Sequence, residues 1–534
     1  MSNASNPPPP VPSVRPRGSA SLLVAAGIFL SRIAGLVRQR VFAHYFGNSA
    51  AADAFNAAFK IPNFLQNLFG EGVLSASFIP VYSRLLAHGD EKEAGRLAGA
   101  IASCLALLVS VLVLGGVLAT PWLVDAIAPG FTGEKRALTV QLVQILFPGA
   151  GLLVLSAWCL GILNSHRKFF LSYTAPVIWN VIMIGTLIAF GGSMKEFPLA
   201  IVLAWGSVVG SAAQFLIQLP MVLKLARNLQ FAPSFKSAAV RTVAGNFVPV
   251  FFSRGVVQIS AYVDSFIASW LPTGAVAALA YGQTLYTLPV SLFGMAISAA
   301  ELPEMSSAIG TPKEVSAQLR KRLDNALRRI AFFIVPSAIG FLTLGDVIVG
   351  ALFQTGRFNA ADARYVWAIL AGSALGLLAT TAARLYSSAF YALHDTRTPV
   401  RFAVIRVFLS TSLGCFAALK LPELLGIEAR WGVAGLTIAG SIAGWTEFTL
   451  LRRALNARIG KTGVTTALVV KLWIAAALSA GAGWGVKLLL PAHTPPVPAA
   501  IAILGVFGAC YFAATMLLRV PEASSLLVRF MRRR

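Results

Sequence analysis

The residues in this chain that invite a chemical reading are charges set inside long apolar runs. The run SRIAGLVRQRVFAHYFG (31–47) holds Arg32, Arg38 and Arg40, and ADAFNAAFKIPNFLQNLFGEGVLSASFIP (52–80) holds Asp53, Lys60, Asn63 and Glu71. Further on, FFSRGVVQISAYVDSFIASW (251–270) carries Arg254, Gln258 and Asp264, and Arg384 lies deep within ALGLLATTAARLYSSAFYAL (374–393). Ionisable groups in hydrocarbon are costly and face a partner or a water-filled cavity. Lys60 and Asn63 are one turn apart, and Arg254 and Gln258 share a helix face. Arg32 and Arg38 do not share a face of an ideal helix, so a kink near Gly35 would be needed to turn both into one cavity. Asp53 or Glu71 reads as a partner that orders the arginines, the alternatives being a proton site or an interface residue. For Arg38 and Arg40 the bland alternative is snorkelling to an interface. For Arg254, Asp264 and Arg384 it is mutual neutralisation.

An excess of guanidinium suits phosphate oxygens, which accept its paired donors. Apolar surface alongside suits a lipid tail, so the pattern implies a lipid phosphate or diphosphate as ligand. There is no P-loop GxxxxGK[ST], no HExxH and no believable serine triad, so the sequence offers neither an ATP site nor a catalytic cluster. Movement of a ligand then draws on a gradient, the membrane potential or the ligand's own imbalance. Cys104, Cys159, Cys415 and Cys510 have neither pairing nor metal-ligand spacing and read as small hydrophobes.

The elements that must position these charges are membrane-spanning helices. The chain is 534 residues long, 57% hydrophobic and 12% charged, with a mean hydropathy of +0.74. A soluble surface needs more charge, and apolar runs long enough to span recur from residue 19 to 520. They are too long for barrel strands. We read about fourteen spans from them. Basic residues alternate by loop. One set holds Arg84, Lys92 and Arg96, then Arg167 and Lys168, Lys224 to Arg241, Lys313 to Arg329, Arg397 and Arg401, and Arg452 to Lys461. The opposite set holds little beyond Lys135, Arg136, Lys195, Arg357, Arg364 and Arg430. The basic side is expected to face the cytoplasm, and with an even span number both termini do too. The formal charge of +24 follows from this rule and from contact with anionic phospholipid, not from nucleic acid.

LFGEGVLSASFIP (68–80) is echoed by LFGMAISAAELP (292–303), and LNSHRKFF (163–170) by LHDTRTPVRF (393–402). Echoes six spans apart in one orientation imply two parallel six-helix lobes. The expected organisation is a disordered cytoplasmic tail (1–18), an N-terminal lobe (19–227), a C-terminal lobe (236–455), two appended helices (466–520) and a basic cytoplasmic tail (521–534).

At SRIAGLVRQRVFAHYFG and DAFNAAFKIPNFLQNLFGEGVLSASFIPVYS the sequence resembles the MurJ/MviN family of lipid II flippases, in the MOP exporter superfamily. APGF (128–131), PVIWN (176–180), LFQTGRFNAADA (352–363) and FYALHDTRTPV (390–400) extend the match over roughly 19–520. The resemblance implies an all-α, MOP/MATE-like membrane protein of the bacterial inner membrane. It implies a cationic cavity between lobes, a groove on the last two helices for the undecaprenyl tail, and transfer of lipid II to the periplasmic leaflet by alternating access. It implies no catalytic role and no cofactor, with membrane potential or sodium as the coupling. Its implied partners are lipid II, anionic phospholipid and the cell-wall synthesis machinery. The family's helix-1 arginines match Arg32 and Arg38, and its helix-2 acid and asparagine match Asp53 and Asn63. For sodium, Asp264 and Asp395 are the candidate oxygen ligands. The chain departs from the family where arginine falls at Gln66, and where arginine and glutamate fall at Thr284 and Thr287; Arg254 is a candidate replacement charge. Another polyprenyl-diphosphate-linked oligosaccharide is the alternative ligand.

Overall fold

The computed structural model describes residues 18–226, 228–231, 237–307, 310–491 and 493–525; within the helices, the side chains of 18–25, 28, 71 and 248–261 lie outside that description. The expected tails, Arg254 and Glu71 therefore fall partly or wholly outside it. Among the described residues the regular structure is helical throughout.

The first half runs α1 (Gly18–Phe46), α2 (Ala50–Phe69), α3 (Glu71–Ser77), α4 (Ile79–Ala87), α5 (Glu91–Ile127), α6 (Gly133–Ser165), α7 (Phe169–Phe190) and α8 (Glu196–Leu225). Ser49 starts α2 by accepting the Ala52 N–H at 3.2 Å, as an N-cap should. What reads as one span over 54–86 is broken at Gly70. A Cβ there would lie 2.2 Å from the Gln66 carbonyl oxygen, so the break needs glycine. α6 is the hub of this half, packed on α2, α5 and α8, while α1 packs on α7. α1 is one uninterrupted helix, so no kink at Gly35 turns Arg32 and Arg38 to the same side.

The second half begins with α9 (Ala238–Ser269), which touches α2, α3 and α5 as well as α10 and α15. It continues with α10 (Ala275–Pro289), a π-helical turn (Val290–Met295), α11 (Ala296–Ser306), α12 (Pro312–Phe353), α13 (Ala360–Ala374), α14 (Leu377–Ala392), α15 (Arg397–Cys415), α16 (Leu421–Leu425) and α17 (Gly432–Ile459). A capping box between Thr311 and Glu314, followed by Pro312, starts α12. Lys313 to Arg329 therefore lie on the first turns of this helix and not in a loop. α12 bends at Leu344, whose φ of −123° and ψ of 16° leave the helical region. α18 (Thr466–Leu489) and α19 (Pro496–Leu517) pack on each other and on α12.

Among the described residues, nine helices are long and apolar enough to cross a membrane, or ten when α13 and α14, bent by 43° at their junction, count as one. The fourteen-span expectation adds α1, α2 with its continuation, α9 and α17. Each of these carries charges within its length, which lowers its apolarity.

Candidate functional site

One end of the molecule is sealed by polar contacts between the two halves. Asp53, in the first turn of α2, is fully buried. Its Oδ2 accepts from Lys135 Nζ at 2.6 Å and from the Gly274 N–H at 2.7 Å, and its Oδ1 accepts from the Ala277 N–H at 2.8 Å. Gly274 and Ala277 open α10, so the carboxylate occupies a helix N-terminus, where unpaired N–H groups favour negative charge. Asp53 is thus held by Lys135 and α10, and not by the arginines of α1. Nearby, Arg40 Nη1 donates to the carbonyls of Ala351 at 2.5 Å and Leu352 at 2.9 Å, which close α12. His44 pairs with the Thr355 hydroxyl at 2.8 Å, and its carbonyl accepts the Arg357 N–H at 2.9 Å. Gly356 passes beneath His44 with φ +55°, where a Cβ would stand 2.3 Å from the His44 oxygen. Tyr281 donates to the Gly47 carbonyl at 3.0 Å, Asn48 donates to Asp362 at 3.1 Å, and Arg357 pairs with Glu196. All these groups sit at the helix ends opposite the basic loops.

Below the seal in the first half lies a cavity of about 840 Å³ between α1, α2, α3, α6, α7 and α8. Arg38 lines it, with Asn63, Gln66 and Trp179. The Arg38 guanidinium stacks 4.8 Å from the Trp179 ring centre, and Trp179 is fixed in turn by donating to the Ser207 carbonyl at 3.1 Å. Arg32 is exposed and is not among the lining residues, so the two α1 arginines serve different surfaces.

A second polar cavity, of about 430 Å³, lies in the other half and is lined by Asp264, Gln283, Tyr286, Thr287, Arg384 and Arg406 among others. Lys60 connects it to the first half. Its ammonium bonds to Ser265, its carbonyl accepts from Tyr262 at 3.1 Å, and its charge acts on Asp264. Arg406, which also lines this cavity, acts on Asp264 through its charge and pairs with Glu447 at 3.3 Å. Arg384 is exposed and makes no ion pair among the described residues. Thr284 and Thr287 donate to their own helix's Ala280 and Gln283 carbonyls, at 2.9 and 2.8 Å, and present no charge. Asp395 lies outside this cavity. It caps α15 by accepting from the Arg397 and Thr398 N–H groups at 2.9 and 3.0 Å, and it pairs with Arg458 at 2.6 Å. Asp264 and Asp395 are not brought together: Asp395 is ion-paired with Arg458, while Lys60 and Arg406 act on Asp264 through their charge. The two carboxylates therefore do not belong to one common site, and among the described residues no group of three or more His, Cys, Asp and Glu side chains that could hold a metal ion occurs.

Sequence reasoning missed Lys135, Arg406 and Glu447. The last two obey the same rule that flagged Arg384, a charge within an apolar span. A third cavity, of about 500 Å³, is apolar and lies between the π turn, α12 and α19, with Phe293 stacked 4.4 Å from Phe333 and with Phe507 and Phe512 opposite.

Two polar cavities in an all-helical fold, with one end sealed, make this an all-α polytopic membrane protein. A solved structure of the lipid II flippase MurJ in an inward closed conformation matches with a TM-score of 0.76 at 24% identity, over 93% of this chain and 99% of that one. An inward-facing MATE family multidrug transporter matches with a TM-score of 0.63 at 14% identity, over 82% and 98%. The family model for the lipid II flippase MurJ matches residues 42–495. A probable lipid II flippase MurJ of Vibrio cholerae is 31% identical over 477 residues, 87% of this chain and 88% of its own. The lipid II flippase MurJ of Burkholderia cenocepacia is 31% identical over 420 residues, 78% and 80%. The chain belongs to the MurJ family.

Proposed function

We propose that the chain carries lipid II, the lipid-linked peptidoglycan precursor, from the cytoplasmic to the periplasmic leaflet by alternating access. The observation that carries this reading is the seal built on Asp53 at the end opposite the basic loops, with the Arg38 cavity below it. With the basic loops in the cytoplasm, the periplasmic side is closed, which is the arrangement that admits a headgroup from the cytoplasmic leaflet. In this reading about fourteen helices form lobes 19–227 and 236–455, both termini (1–18 and 521–534) are cytoplasmic, and the basic loops rest on anionic phospholipid of the inner membrane.

Arg38 takes phosphate oxygens, Arg32 guides the approach from the surface of α1, and Asn63 lines the path. Asp53 closes the periplasmic side with Lys135. Lys60, Asp264 and Arg384 form the charged link between the lobes, while Glu71 and Arg254 are assigned to the path by their places on α3 and α9. The aromatic groove against 466–520 suits a polyprenyl tail.

Cells depleted of their own lipid II flippase test this reading when supplied with wild type, R38A or R32A at matched membrane levels. Growth and outer-leaflet lipid II are the readouts. Rescue by wild type and loss in R38A are expected; full rescue by R38A would overturn the cationic-cavity mechanism. The neutral residues Gln66, Thr284 and Thr287 favour one second reading, another polyprenyl-diphosphate-linked oligosaccharide. A correctly inserted wild type that fails to rescue would support it.

A further inference from the structure

α12 carries the second half's side of the seal, and its backbone is broken twice before it gets there. Pro336 has no N–H, so the Phe332 carbonyl, four residues earlier, has no donor within the helix. Leu344 leaves the helical region. Beyond it come the Ala351 and Leu352 carbonyls that receive Arg40, then Thr355 and Arg357, which meet His44. The angle at Leu344 therefore sets where one side of the seal lies.

Both breaks are held from outside, largely by the appended helices. The Tyr511 hydroxyl of α19 donates to the Phe332 carbonyl at 2.8 Å and so satisfies the group that Pro336 leaves bare. The Trp484 indole of α18 donates to the Thr343 carbonyl at 2.9 Å, while Trp367 of α13 donates to those of Phe341 and Leu342 at 3.1 and 3.2 Å. Past the break, Asp346 pairs with Lys487 of α18 at 2.5 Å, and Lys487 lies 5.0 Å from the Trp484 ring centre. α18 thus grips α12 on either side of Leu344.

The apolar groove spans the same bend. Phe332, Phe333 and Phe341 line it ahead of Leu344, Ile348 lines it beyond, and Tyr511 stands in its wall. A flexible chain filling the groove touches both arms of α12, so it fits one angle between them better than another. A ligand shifts an equilibrium only through such a difference. The groove has this shape in a molecule whose seal is closed, so an occupant favours closure.

We propose that Trp484, Lys487 and Tyr511 are positioning residues for the seal, and that a polyisoprenyl chain in the groove holds the seal shut through α12. This rests on the reading of the groove as the seat of the lipid tail and adds what the tail does there. The gate stays closed while the chain is seated, and opening requires the chain to shift.

The test uses full-length protein in nanodiscs, with nitroxide labels on Ser193→Cys and Ala361→Cys in a background lacking the four native cysteines. Both positions are exposed and lie on either side of the Arg357–Glu196 pair. The probe is a long-chain prenyl monophosphate, without sugar, carrying a benzophenone at the chain end. In wild type it cross-links to α19 and raises the share of short label distances, while a short-chain analogue does neither. Trp484→Phe and Tyr511→Phe each keep an aromatic ring and lose one donor. Each lowers the ratio of short to long distances about fivefold, the scale of one hydrogen bond, and blunts the response to the probe. Where one variant fails to insert, the other carries the test. Wild-type distances and response in both variants would overturn the positioning role. Cross-linking to α19 with unmoved distances would overturn the coupling and leave the tail groove standing, whereas no cross-linking to α19 would sink both. Rescue of flippase-depleted cells judges the flippase reading separately.

Discussion

Asp53 gathers three donors around one carboxylate, and two of them are main-chain N–H groups. Replacing it with alanine leaves Lys135 and the start of α10 unpaired in a buried place, a loss on the order of 3–5 kcal/mol for the sealed state. Spin-label distances across the seal are expected to shift to a wider population in D53A, and an unchanged distribution would exclude Asp53 from the closure. Lys60 and Arg406 both act on the Asp264 carboxylate through their charge, in place of a mobile cation in this reading. Exchanging sodium for potassium at constant ionic strength should leave the flipping rate in proteoliposomes unaltered. At the basic side, the Thr398 hydroxyl and N–H groups and Arg458 hold the Asp395 carboxyl well below the usual carboxylate range. A depressed folded value contributes stability that is complete above the ordinary pKa, about 4, and is lost as pH falls toward the folded value. Amide exchange at Arg397 and Thr398 should quicken on acidification below that point in wild type, and be fast at all pH values in D395A. Arg38, Asp53, Lys60 and Arg384 were legible in the sequence because a charge in an apolar run stands out. Asn180, Gln214 and Gln218, which share a cavity lining with Arg38, were not, since a neutral amide carries no such signal and only the packing of α7 on α8 pools them.

Helices legible as apolar runs acquired their breaks from single residues. Gly70 divides α2 from α3, and a π-helical turn follows Pro289, but hydropathy alone reads both stretches as single long spans. The partner of α1 was not legible either. Contact of Arg40 with the last turn of α12, and of His44 with the loop after it, joins residues about three hundred positions apart, which no local pattern encodes. Cysteines at 44 and 355, in a background lacking the four native ones, are expected to cross-link under oxidation and stop flipping until reduced. Continued turnover with the cross-link formed would show that the end of α1 need not leave α12.

At the scale of the molecule, the three cavities divide by chemistry: amides in the first half, charges in the second, and aromatic rings against α19. Gly508 lines the apolar groove and has no atom within 4 Å of where its Cβ would be, so the position has room for a side chain. Gly508→Trp should leave the fold intact and slow transfer of long-chain substrate more than short-chain analogue. Equal rates for both would place the tail elsewhere. The seal has a further consequence for inheritance. Its anchors are side chains, but most of their receivers are main-chain atoms: the N–H groups of 274 and 277, and the carbonyls of 47, 351 and 352. Main-chain receivers survive most substitutions at their own positions, so lineages can diverge freely on that side without matched replacements. Paired-substitution statistics across descendants would then be silent at this gate, while a single change at position 53 or 40 disables it.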